Sequence, residues 1–152
     1  MANRLTKGQA LVGAVAAPAD KLTAGGVKVA TTVTISVELL AASVDKWVFI
    51  ANRAYEVVSI EEVHSVVGST SAAVKARKVL NVSAPGASAG ANVVEFATAA
   101  FDLTAAVNTV QTATLSATAS DYQLADGDKI GLDFSGTLTG LVGVLTITLK
   151  AI

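Results

Sequence analysis

Residues 121–149 constrain the fold more than any other part of this sequence. Within them, large apolar residues occupy every second position of two segments, 129–134 and 144–150. Alternation with a period of two and one apolar face is typical of a half-buried β-strand. The apolar positions are Ile130, Leu132 and Phe134 in the first segment and Leu145, Ile147 and Leu149 in the second. The stretch therefore predicts two β-strands.

Most of the earlier chain continues this pattern. Apolar residues make up 52% of the sequence but aromatic residues only 5%, so the apolar content comes mainly from Ala and Val. Val, and the Thr that accompanies it, favour a pleated sheet. We predict an all-β fold, an antiparallel β-sandwich or jelly roll of about eight strands. The further predicted strands are residues 32–39, 46–51, 56–67, 73–82 and 109–119.

Four local features qualify that pattern. Residues 46–51 are apolar on both faces, which predicts a strand covered on both sides, with Trp47 in the core. Lys78 interrupts the apolar face of its strand, which predicts an edge strand or a side-chain stem that reaches the rim. Residues 83–92 are predicted to form a loop, and the spacing of Val93 and its successors favours a short helix over 93–97.

The sequence divides into an arm, residues 1–28, and a single β-sandwich domain, residues 29–152. The arm is rich in small residues and contains Pro18 and Gly25-Gly26. Two interpretations remain open: the arm docks on neighbouring copies or another surface, or residues 11–16 form a first strand of the same domain. The predicted assembly contacts are Arg4, Leu5, Lys7, Leu11 and Val12.

Charge and cysteine content exclude several classes of function. The formal net charge is −1, without a long run of either sign, which argues against general nucleic-acid binding. No apolar run approaches the roughly 18 residues of a membrane helix, and residues 10–17 lack the length and Leu or Phe density of a signal peptide. The absence of cysteine favours assembly in a reducing cytoplasm.

No catalytic or metal-binding constellation is evident. Glu62 and the only histidine, His64, share a face of a predicted strand, but neither a cysteine nor a second histidine completes a zinc site. We therefore interpret His64 as a satisfied or surface histidine. Glu61 and Glu62 point to opposite faces and cannot act together as an acid/base pair. We predict no enzymatic activity and no cofactor.

Two further clusters have simpler explanations than ligand binding. Asp121, Asp126 and Asp128 could bind calcium, but Asp126-Gly127-Asp128 is explained more simply as a turn that begins a strand. The glycines at 136, 140 and 143 are spaced as in a helical GxxxG pattern, yet no long apolar helix surrounds them. We interpret them as loop turns and a bulge.

The order of short motifs in the last two-thirds of the chain resembles the head-decoration (capsid cement) proteins of tailed bacteriophages. The motifs are Pro85-Gly86, Ala100-Phe101-Asp102-Leu103, Asn108-Thr109-Val110-Gln111, Leu124, Gly127-Asp128-Lys129-Ile130, Phe134-Ser135-Gly136-Thr137-Leu138 and residues 141–144. This resemblance implies a small β-sandwich, often trimeric, on the outside of an icosahedral shell, where it stabilises the expanded head. It supplies no catalytic motif, and residues 1–28 take no part in it.

The leading hypothesis is therefore a structural virion protein, made in the host cytoplasm, that cements the capsid exterior. Its expected partners are the major capsid protein and copies of itself in a homotrimer, without nucleic acid or membrane. One alternative is another phage structural module, such as a head-fibre base, tail-tube or neck component. Another is a carbohydrate-binding or adhesive β-sandwich, which would need an exposed aromatic platform from Trp47, Tyr55 and Tyr122.

Overall fold

The computed structural model describes residues 31–80, 84–86, 90 and 92–152. It also gives the backbone of two short paired strands, β1 (Thr23–Ala24) and β2 (Val27–Lys28). The remaining strands form two five-stranded antiparallel sheets that share one hydrophobic core. The predicted all-β sandwich is thus confirmed.

The first sheet is built around the last strand of the chain. It contains β3 (Thr32–Leu40), β5 (Tyr55–Val66), β9 (Gln111–Thr112), β10 (Gln123–Leu124) and β12 (Val142–Ala151). The strand order is β10–β5–β12–β3, and β9 also pairs with β5. β12 therefore lies between the two other long strands. Its alternating aliphatic residues face the core, as the sequence pattern predicts.

The second sheet packs its apolar face against the first. It contains β4 (Lys46–Ile50), β6 (Ala73–Val79), β7 (Val93–Glu95), β8 (Phe101–Asp102) and β11 (Lys129–Ser135). The order is β4–β11–β6–β7, and β8 also pairs with β6. One helical turn, α1 (Ala119–Tyr122), precedes β10. The side chains buried between the sheets include Leu39, Ile60, Phe96, Leu103, Ile130, Leu132, Leu145, Ile147 and Leu149.

The long strands were predicted nearly to their ends. Residues 32–39, 129–134 and 144–150 lie within β3, β11 and β12. The pairing of β5 with β12 shifts register at two points. The sheets hold ten strands rather than about eight, because four strands of two or three residues are too short to produce an alternating pattern.

Three local predictions were wrong. Residues 93–97 begin with strand β7, not a helix, because Val93 pairs with Val79 and Glu95 with Arg77 across the sheet. Residues 109–119 contain only the two-residue strand β9 and an isolated bridge at Leu115. β4 is an edge strand instead of a covered one, and Trp47 is 41% exposed.

The strand that contains Lys78 is not an edge strand. β6 lies between β11 on one side and β7 and β8 on the other, and Lys78 is buried. The Lys78 Nζ donates to the carbonyl oxygens of Ser120 and Gln123. These two bonds satisfy a buried ammonium group and fix the α1–β10 segment against the sheet.

Candidate functional site

Three connections meet at one end of the sandwich and carry no charged residue. They are residues 40–44, 66–72 and 135–142, and we call them the uncharged end. Backbone hydrogen bonds join two of them: the Ser69 N–H donates to Thr137 O (2.7 Å), and the Thr137 N–H donates to Thr70 O (3.0 Å). The strands bring in the third, since Leu40 pairs with Val142 and Val142 with Val66.

The uncharged end exposes aliphatic side chains. Val44 is 69% exposed at the tip of the β3–β4 turn, and Leu40 is 44% exposed beside it. Val66, Val67 and Val142 are exposed on the adjoining strand ends. Shallow pockets lie on both sides of the turn, and Ser43 and Val44 contribute to each. An exposed aliphatic surface is typical of a contact with another protein. Charged residues border this one, with Asp45 lining one pocket and Glu38 and Lys46 the other.

Glycine makes the close approach of these connections possible. Gly136 has φ +72°, and a Cβ on it would lie 2.1 Å from the Ser71 carbonyl oxygen. Gly140 also adopts a positive φ. Gly143 lies where β12 shifts register against β5. The interpretation of the three glycines as loop turns and a bulge is confirmed.

A buried polar cluster lies beneath the uncharged end. Glu62 and His64 point into the sandwich from β5, as their shared face predicts, and both side chains are buried. His64 Nδ1 lies 2.9 Å from Glu62 Oε1, and Nε2 donates to the Ala105 carbonyl oxygen at 3.0 Å. Gln111 Nε2 donates to Glu62 Oε2 at 2.7 Å. Every polar atom of the Glu62 and His64 side chains therefore has a partner.

Burial and hydrogen bonding shift the ionisation of this cluster. Burial raises the pKa of Glu62, although the hydrogen bond from His64 opposes the shift. Burial lowers the pKa of His64, but hydrogen bonds to the Ala105 carbonyl and to Glu62 outweigh it and leave the pKa raised. The cluster attaches the loop after β8 to β5, and it holds no nucleophile. The interpretation of His64 as a satisfied histidine is confirmed.

The aspartate cluster forms a turn, as expected. Gly127 adopts φ +86°, and Asp128 Oδ2 accepts from the Ala125 N–H at 2.8 Å. Asp121 lies apart and accepts from the Ser116 hydroxyl. Within the described residues, no group of three or more His, Cys, Asp or Glu side chains is placed to hold a metal ion.

The three candidate aromatic residues do not form a common platform. Trp47 is exposed, so its predicted place in the core is wrong, and Lys129 Nζ lies 5.0 Å from the centre of its ring. Tyr55 is buried and donates to Asn52 Oδ1 at 2.9 Å. Tyr122 is half-buried against the core. A stacking surface for a sugar would therefore consist of Trp47 alone.

The uncharged end was not identified from the sequence, although its signal was present. Three loop segments without Asp, Glu, Lys or Arg are visible in the sequence, but their meeting at one end requires the strand order. The predicted assembly contacts Arg4, Leu5, Lys7, Leu11 and Val12 lie outside the described residues, as do residues 1–22 as a whole. Within the described part of the chain, no helix is long and apolar enough to span a membrane.

Comparison with known proteins gives a likeness of fold alone. No family model matches the chain, and no curated protein matches it. One similar solved structure is described as Bacillus endospore appendages that form disulfide-linked pili. It has 11% identity and a TM-score of 0.39 over 84% of this chain and 92% of that one.

A second similar structure comes from infectious bursal disease virus, strain Gx. It has 13% identity and a TM-score of 0.41. The match covers 80% of this chain but 32% of the viral one, so the chain spans about a third of that protein.

Proposed function

We propose that this chain is a structural virion protein that decorates and cements the outer surface of a tailed-phage capsid. In this proposal it is made in the host cytoplasm and binds the major capsid protein as a homotrimer. The observation that carries the proposal is the uncharged end, an exposed aliphatic surface on a compact sandwich. Such a surface fits a protein partner, because charged residues are depleted from the cores of protein interfaces.

The rest of the described surface supports a structural role. The outer face of the first sheet presents short hydroxyl side chains, Thr32, Thr34 and Ser36, with Thr146 and Thr148 of the neighbouring strand. Short uncharged side chains allow close lateral packing of many copies at a small cost in side-chain entropy. The buried Glu62–His64 cluster attaches a loop to β5 through its hydrogen bonds, which fits a structural role.

The first test is the copy number of this chain in purified particles, measured by quantitative mass spectrometry against the main shell protein. A ratio near parity supports a protein that covers the shell. A ratio far below parity contradicts the cement role and favours a tail, neck or fibre component. Absence from particles overturns the virion proposal entirely.

The second test locates the contact with a matched pair of variants. Val44→Lys introduces a charge at the uncharged end, and Ile50→Lys introduces the same charge at a site of similar exposure, 65% against 69%, near the opposite end. Binding to particles that lack the protein is measured by co-sedimentation. We expect roughly a tenfold or greater loss of affinity for Val44→Lys only, since burying an unpaired charge costs well over about 1.4 kcal/mol. Equal losses would contradict the assignment of this surface.

The arm is proposed to contribute to assembly through Arg4, Leu5, Lys7, Leu11 and Val12. Deletion of residues 1–28 should lower either the oligomer mass, measured by sedimentation, or the binding to particles. If neither changes, the arm has no part in assembly. The result for Val44→Lys is independent of this outcome.

A further inference from the structure

β3 is the long, unprotected edge of the described sandwich. It runs for nine residues and pairs regularly with β12 on one side only. The other edges carry the features that prevent strand addition. β4 has Lys46 and an irregular register against β11, and β7, β8, β9 and β10 have two or three residues each. Residues 32–37 contain no charge, proline or bulge.

The direction of the free hydrogen-bonding groups of β3 follows from its pairing with β12. The Ala151 N–H donates to Thr31 O at 2.9 Å, so Thr31 is bonded towards β12. Because antiparallel bonding alternates along a strand, the odd-numbered residues bond to β12 and the even-numbered residues point outward. Lys46 Nζ, which donates to Glu38 O on the outer side, agrees with this alternation.

Only part of this outer edge is open. At its C-terminal end, Leu40 N–H donates to the Ser43 hydroxyl and Leu40 O accepts from the Ser43 N–H, both at 2.9 Å. Lys46 covers Glu38 O. Thr32, Thr34 and Ser36 have no outward backbone partner within the described residues. The open segment is therefore centred on Thr34.

We propose that two copies of this chain pair antiparallel through β3, with a two-fold axis at Thr34. In this register Thr34 faces Thr34 of the second copy, and Thr32 faces Ser36. Each of these pairs exchanges two backbone hydrogen bonds, and only the open positions are used. Pairing centred on Ser36 would instead require Glu38 and Leu40, whose outer groups are already occupied.

The side chains of β3 suit this pairing. On the outer face, hydroxyl residues meet hydroxyl residues, a favourable combination for cross-strand neighbours. On the inner face, Val33 meets Ile35, and both are only half-buried in the single chain although they face the core. No like charges face each other across the axis, since Glu38 lies beyond the paired residues. The paired positions do not include Leu40 or Val44, although Ser36 also lines the pocket beside the β3–β4 turn. The proposal does not depend on the proposed capsid role.

Single-cysteine variants of the full chain test both the pairing and its register, because the natural chain has no cysteine. Directly opposed, hydrogen-bonded residues have Cα atoms about 5.5 Å apart, within the range that a disulfide spans. In a glutathione redox buffer, Thr34→Cys is expected to form a disulfide-linked dimer. Ser36→Cys and Thr32→Cys, each about 13 Å from its own counterpart, should form no disulfide-linked dimer alone and should cross-link to each other when mixed.

A second pair of variants tests the pairing without oxidation. Thr34→Lys places two like charges across the axis, so sedimentation velocity should show only species without this contact, with an unchanged circular dichroism spectrum. Mixing Thr34→Lys with Thr34→Glu should restore the β3–β3 contact, because the two substituted side chains then carry opposite charges. The proposal is overturned if Thr34→Cys fails to cross-link, or if Ser36→Cys alone cross-links equally fast. It is also overturned if residues 1–30 of the same chain prove to occupy the edge.

Discussion

The two ends of the sandwich differ in where they place charge. At the uncharged end, the three connections themselves are free of charge, with Asp45 and Lys46 directly after the first of them, and Glu62 and His64 are buried beneath them. At the opposite end, the turns at 51–54 and 125–128 bond to each other through Ala51, Gly127 and Asp128. That end carries Arg53, Asp126, Asp128 and, on adjoining strands, Lys129 and Lys150.

This contrast shows that the two ends of one fold can have different surface chemistry. Charged turns keep a surface hydrated and discourage contact with other proteins. An uncharged, aliphatic end favours such contact, and close packing within it must then be achieved through glycine and buried hydrogen bonds. The following predictions test this contrast, beginning with the largest expected effect.

Two of the positive-φ glycines, Gly136 and Gly127, should differ sharply in their tolerance of a side chain. Gly136→Ala combines backbone strain with a contact against the Ser71 carbonyl, and we expect a loss of about 4 kcal/mol in the free energy of unfolding. Gly127→Ala, at the charged end, has nothing within 4 Å of the new Cβ and should lose about 1 kcal/mol from the positive φ alone. Urea denaturation measures both. Equal losses would show that the close approach at the uncharged end contributes nothing.

The buried cluster should make stability fall as pH rises. The folded-state pKa is raised for both Glu62 and His64, so the folded protein binds more protons than the unfolded chain. The resulting stability is present below the ordinary pKa values of 4.5 and 6.5 and is lost as pH rises through the raised ones. The slope cannot exceed about 1.4 kcal/mol per pH unit for each proton involved.

Urea denaturation from pH 5 to 9 measures this slope, and the double variant Glu62→Gln/His64→Gln is the control. Asp133, whose pKa burial raises, contributes with the same sign in both proteins and cancels in the comparison. We expect the free energy of unfolding to change less with pH in the double variant than in the natural protein. If the two proteins show the same change, groups outside the cluster cause the pH dependence.

The smallest effect should be that of salt on binding to particles. If the uncharged end makes the contact, an increase in ionic strength from 0.05 to 0.5 M should change the affinity by less than roughly twofold, because screening acts on charged groups. Co-sedimentation at several salt concentrations measures this. A tenfold loss would instead assign the contact to a charged surface, such as the opposite end.

The long strands could be predicted because burial on one face leaves a period of two in the sequence. The short strands could not, since Phe101–Asp102 or Gln111–Thr112 is held by its neighbours rather than by its own pattern. Trp47 was misplaced because residue type indicates burial only on average, whereas exposure depends on whether β4 lies at an edge. The sequence showed that Glu62 and His64 share a face of one strand. It could not show their further hydrogen bonds to Gln111 and Ala105, because tertiary structure brings those residues to the pair.

The position of β12 has a consequence for how the chain is made. β3 and β5 do not bond to each other; both bond to β12, which follows them in the chain. During synthesis, the two outer long strands of the first sheet are therefore complete before the strand between them exists. The sheet can close only after Val142–Ala151 has emerged from the ribosome, so a truncation before β12 would remove the centre of the sheet rather than its margin.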